Sequence, residues 1–153
     1  MIKVNVLSEE NSWSKRIKKK EDLFNKVCKN FPKKFKFLNK KVYLTLLLSN
    51  NKSIKKLNKK FRNKNKHTDI LSFPFEKKIK NLKEIYLGDL IISYNYINNP
   101  KNLSNYMFKK KTIKIFIHGF LHLLGYDHMK NIDFKKMINE ETKLFKSIEK
   151  LIK

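Results

Sequence analysis

The chain has 153 residues, 37 of them Lys or Arg against 13 Asp or Glu, for a formal net charge of +24. With 41% hydrophobic residues it carries enough apolar content for one core, so a single domain covering 1–153 is expected. The lone Cys28 excludes an intramolecular disulfide and a cysteine-based zinc cluster. No signal-peptide core or apolar run of membrane length is visible, so the expectation is a soluble cytoplasmic protein with no membrane partner.

In chain order, Ile2, Val4 and Val6 alternate with polar residues and predict an opening strand. Ser12 is placed to cap a helix whose apolar face is Trp13, Ile17, Phe24, Val27 and Cys28. Residues 42–49 form a β-branched and leucine-rich run of strand length. Ile54, Leu57 and Phe61 recur at helical spacing, and two further strands are expected over 69–73 and 86–93. Gly88, inside the second of these, marks a bulge or a close backbone approach. A helix near residues 106–124 buries Ile113, Phe116, Ile117, Phe120, Leu121 and Leu124. Phe134, Met137, Ile138, Leu144, Phe145, Ile148 and Leu151 mark a closing amphipathic helix. The pattern is α+β, with a mixed sheet of about four strands packed with helices.

Three of the four histidines fall within eleven residues, His118-Gly-Phe-Leu-His122-Leu-Leu-Gly-Tyr-Asp-His128. Residues i and i+4 lie on one helix face, so His118 and His122 can aim their imidazoles at one point. Gly125 suits the left-handed residue that ends a helix, after which the chain can turn back and deliver His128. Three convergent imidazoles form a zinc site with one coordination position left for water, the catalytic arrangement. The bland reading makes each an ordinary surface or core histidine. Zinc peptidases carry Glu after the first histidine as general base; here the position is Gly119, which cannot take a proton. Metal-assisted hydrolysis therefore survives better than peptidase chemistry.

The basic excess is the electrostatic footprint of a phosphate-rich partner. Ala and Gln are absent while Lys, Asn and Ile dominate, as an AT-rich coding sequence would give. Part of the charge, including 18–20 and 109–111, therefore belongs to ordinary solvated faces.

The histidine segment resembles the signature of the YbeY family of bacterial metallo-endoribonucleases. Leu57-Asn-Lys-Lys-Phe-Arg62, followed by Thr68-Asp-Ile-Leu-Ser-Phe-Pro74, is similar to that family's second motif. Tyr86-Leu-Gly-Asp-Leu-Ile-Ile-Ser93 is similar to its third. The resemblance implies an α+β domain with one zinc ion per chain, held by His118, His122 and His128. It also implies cleavage of single-stranded RNA, processing of the 3′ end of 16S ribosomal RNA, a part in ribosome quality control, and the small ribosomal subunit as partner. His67 departs from the pattern, standing where the family often has proline; it is a stray ligand or a surface turn residue.

Further candidates are graded by chemistry. Arg62 and His118 are the catalytic candidates. Arg62 is one of only two arginines, with Arg16, in a chain whose default cation is lysine, and its planar fork can grip two phosphate oxygens. The alternative is a helix-end charge. Asp127, beside the third histidine, either accepts a hydrogen bond from an imidazole and orients it or forms the turn. Asp89 is a second candidate of this sort, with Asp69 and Ser72 behind it. Two other functions stay open beside the endoribonuclease: a metal-dependent hydrolase of another substrate such as a peptide, and a non-catalytic ribosome-associated zinc protein.

Overall fold

A computed structural model describes residues 1–75, 83–127 and 130–153. Four strands, β1 (Ile2–Ser8), β2 (Lys41–Ser49), β3 (Ile70–Pro74) and β4 (Glu84–Ser93), form one sheet in the order β1-β2-β4-β3. β1 and β4 run parallel to β2, while β3 lies antiparallel to β4 as an edge strand. The expected mixed four-stranded sheet is therefore observed. Among the described residues six α-helices accompany it: α1 (Ser12–Arg16), α2 (Lys20–Lys29), α3 (Asn51–Arg62), α4 (Tyr94–Ile97), α5 (Asn105–Leu123) and α6 (Asn131–Ile148).

Alternation divides the sheet into two unequal faces. Val42, Leu44, Leu46 and Leu48 of β2 point into the main core, where Trp13, Phe24, Phe108, Phe116 and Phe120 meet them. The Trp13 indole N–H donates to the Ser49 carbonyl at 2.9 Å, so this buried ring leaves no polar atom unpaired. On the other face α3 covers a small cluster of Ile54, Leu71 and Ile91. Cys28 is buried in the main core, and desolvation pushes its thiol pKa up.

Some elements differ from the sequence expectation. The single helix expected from Ser12 to Cys28 is two, because Ile17 is extended (φ −133°, ψ 106°). Ile17 and Phe24 are both buried in the core despite the break. Ser12 is the first helical residue rather than its cap, and its hydroxyl donates to Glu10 at 2.9 Å. Phe61 does not join the buried stripe of α3. It is exposed against the Phe73 ring at 5.5 Å. In α6, Phe134 and Ile138 are likewise exposed, whereas Met137, Leu144 and Ile148 carry the packing.

Two glycines fix how α5 meets the sheet. A Cβ at Gly119 would overlap Ile70 Cδ1 and come within 2.9 Å of Leu90 Cδ2, so side chains of β3 and β4 pack directly on the helix backbone there. Gly88 has φ +138°, and its neighbours shift register between the Tyr43 and Thr45 pairings, so the expected bulge is present. A Cβ there would collide with the Phe73 carbonyl oxygen. Gly119→Ala should lose about 1–3 kcal/mol by overpacking. Gly88→Ala should lose more, because backbone strain of about 1–3 kcal/mol adds to the collision. Urea unfolding midpoints check this; equal midpoints for the Gly88→Ala protein and the parent would contradict it.

Candidate functional site

α5 begins where Ser104 accepts the Met107 N–H at 3.1 Å, and it is buried along most of its length between sheet and α6. Its C-terminus closes in a Schellman motif: Gly125 N–H donates to the His122 carbonyl at 3.0 Å, and Tyr126 N–H to the Leu121 carbonyl at 3.0 Å. Gly125 has φ +95°, the positive value its place after the helix requires. The chain is thus turned sharply three residues before His128, as the sequence suggested.

One helical turn brings His118 and His122 together, with their Nε2 atoms 3.1 Å apart. The other ring nitrogen of His118, Nδ1, lies 2.5 Å from Glu141 Oε1 on α6. An ionised carboxylate only accepts, so Nδ1 is the donor in this contact and Nε2 is the nitrogen that faces His122. Metal–nitrogen bonds of about 2.0–2.1 Å in a tetrahedron separate two ligand nitrogens by about 3.3 Å. The observed spacing is close to that, and the donor set is of the kind zinc takes. His128 lies outside the described residues; among them no three His, Cys, Asp or Glu side chains gather as a metal cage.

Glu141 is absent from the sequence reading. It lies 23 residues beyond His118, and an acid on the polar face of an amphipathic helix is the commonest solvated residue, so no local spacing singles it out. Its neighbour Glu140 faces elsewhere, onto Lys34 at 3.1 Å. Glu140 first and Tyr126 second raise the Lys34 pKa.

The remaining candidates are placed unequally. Arg62, ending α3, donates from Nη2 to the Ser72 carbonyl at 2.9 Å, and its guanidinium lies 5.7 Å from the Phe73 ring centroid. The Ser72 hydroxyl donates to the Gly119 carbonyl at 3.4 Å, so one β3 residue touches both Arg62 and the histidine helix. Arg16, by contrast, spends its fork on Leu103 and Lys101 carbonyls and on the Asn98 and Asn105 side chains, a structural tie. Asp89 accepts from the Tyr86 hydroxyl, which also contacts Thr45 Oγ1 at 2.8 Å. Burial first, then this bond to Asp89, raise the Tyr86 pKa. Leu90, next in the strand, faces Gly119, so alternation seats Asp89 on the opposite sheet face from the histidines. Asp69 closes a local turn, accepting from Thr68 at 3.0 Å and from Ile70 N–H at 2.7 Å. Asp127 is exposed in the turn leading to His128, and His67 is exposed in the loop between α3 and β3.

Comparison with known proteins shows the family. The family model described as Endoribonuclease YbeY matches residues 6–149. The chain is 62% identical to the Endoribonuclease YbeY of Pelagibacter ubique over 149 residues, covering 97% of each. It is 33% identical to that of Ehrlichia canis, covering 94% of this chain and 90% of that one. The fold is similar to the solution structure of TM1509 from Thermotoga maritima, with a TM-score of 0.51 at 23% identity over 98% of this chain and 93% of that one. Motifs, fold and relatives agree across nearly the whole length: the chain belongs to the endoribonuclease YbeY family.

Proposed function

We propose that the protein is a zinc-dependent endoribonuclease specific for single-stranded RNA, acting in 16S ribosomal RNA 3′-end maturation and ribosome quality control with the small ribosomal subunit as partner. The observation that carries the catalytic part is the convergence of His118 and His122, Nε2 to Nε2 at 3.1 Å, on a helix whose turn leads directly to His128. Family membership supports the ribosomal part. Among the described residues no helix is long and apolar enough to cross a membrane, which fits a cytoplasmic site of action.

His118, His122 and His128 would hold the zinc ion, which would supply Lewis acidity and a nucleophile at neutral pH. The chain's own residues do the rest. His118 presents Nε2 because its Nδ1 is committed to Glu141. Arg62 keeps part of its fork beyond the bond to Ser72 and is the group suited to gripping phosphate oxygens in the transition state. The charge of +24 draws the RNA backbone to the surface. Gly119 carries no base, and its Cα abuts β3 and β4, so this position cannot serve the role glutamate has in zinc peptidases.

Purified protein is expected to carry one zinc per chain, and His118→Ala, His122→Ala and His128→Ala each to lose it. Elemental analysis checks this, and full occupancy in the His128→Ala protein would remove that residue from the site. Labelled single-stranded RNA should be cut faster than duplex, with cleavage abolished by chelator, binding weakened by salt and casein untouched. Equal cutting of both RNA forms, or digestion of casein, would sink the substrate assignment. Arg62→Lys should keep zinc and fold while cleavage falls by about tenfold or more. A lysine variant as active as the parent would make Arg62 only the tie between α3 and β3.

A further inference from the structure

We propose that Glu141 is the positioning carboxylate of the metal centre: it fixes the ring orientation and tautomer of His118 from a separate helix, and so sets how tightly the site holds zinc. The inference rests on the metal reading given above. Its basis is the 2.5 Å approach of Glu141 Oε1 to His118 Nδ1, made across the α5–α6 interface. A histidine with Nδ1–H held by a carboxylate has one nitrogen left for a metal. That nitrogen is the one facing His122. Metal-bound histidines commonly have this outer partner, which raises ligand basicity as well as fixing direction.

Charge supplies a second argument. Neutral imidazoles leave a dication uncompensated, in a chain that already carries +24. Glu141 brings a negative charge within hydrogen-bond reach of a ligand ring, with both side chains about one-third exposed (30% for Glu141, 34% for His118). That partial burial keeps the attraction from being fully screened by water. The same carboxylate borders a groove of about 340 Å³ between α5 and α6, together with Lys114 and Lys146. It is nonetheless the histidine that it contacts. Adjacent Glu140 is committed to Lys34 and provides an internal control on the same helix.

The competing role is a plain α5–α6 ion pair, useful to the fold and indifferent to metal. Zinc affinity measured by chelator competition, alongside thermal unfolding of the zinc-free proteins, separates the two. Glu141→Ala should bind zinc about 10–100-fold more weakly than the parent. Glu141→Gln should lose less, since its amide oxygen still accepts the Nδ1–H. Glu140→Gln should bind zinc as the parent does. The zinc-free Glu141→Gln protein should melt close to the zinc-free parent. The absorption spectrum of cobalt-loaded Glu141→Gln should shift from that of the cobalt-loaded parent, because the His118 ring is no longer held by a charge. Parental zinc affinity in both Glu141 variants overturns the proposal and leaves the metal site standing. A loss of zinc-free stability in Glu141→Gln, with unchanged zinc affinity, assigns Glu141 to the fold and overturns it too. A parent protein that holds no zinc overturns the metal reading itself.

Discussion

The contact on which the site depends is between the α5 backbone and side chains of the sheet: a Cβ at Gly119 would overlap Ile70 Cδ1, so these side chains close directly on the helix. Ile70 and Leu90 occupy the space a side chain would fill, and the Ser72 hydroxyl bonds the Gly119 carbonyl. Close packing at this point leaves the helix little freedom to roll or lift. His118 and His122 flank it in sequence, so their heading toward α6 is set by the same contact. Gly119 is therefore more than the residue that spoils a peptidase motif. It is the spacing element that lets a histidine helix sit on a sheet without a gap.

Much of this was legible in the chain and some was not, for identifiable reasons. Strand alternation and the i, i+4 histidines are local and periodic, so the four strands, α5 and the imidazole pair could be read directly. Glycine has few uses, so Gly88 as a bulge and Gly125 as a helix stop could be read as well. The break at Ile17 could not, because one hydrophobic spacing fits a straight helix and a kinked one alike. Phe61 misled because helical periodicity says which face a residue is on, not whether the sheet extends far enough to cover it. Glu141 was invisible because its significance is wholly tertiary, arising only where α6 crosses α5.

The two arginines illustrate how a shared chemistry serves different ends. Arg16 uses its planar fork to tie together the segment from Asn98 to Asn105, whereas among the described residues Arg62 makes a single bond, to the Ser72 carbonyl of the edge strand. Arg16 is saturated by its neighbours. Arg62 lies against Phe73 on the α3 side of the sheet edge, with guanidinium donors beyond its bond to Ser72 available for a substrate phosphate. The abundant lysines do something less specific, drawing a polyanion to the surface without fixing it.

The central claim is that the histidine cluster is an open zinc site rather than a closed one or a chance assembly. X-ray absorption at the zinc edge of the purified protein tests it most directly. The account predicts a first shell of nitrogen and oxygen only, at about 2.0–2.1 Å, with the outer-shell scattering of three imidazoles. A sulfur at about 2.3 Å, four imidazoles, or fewer than three would contradict it.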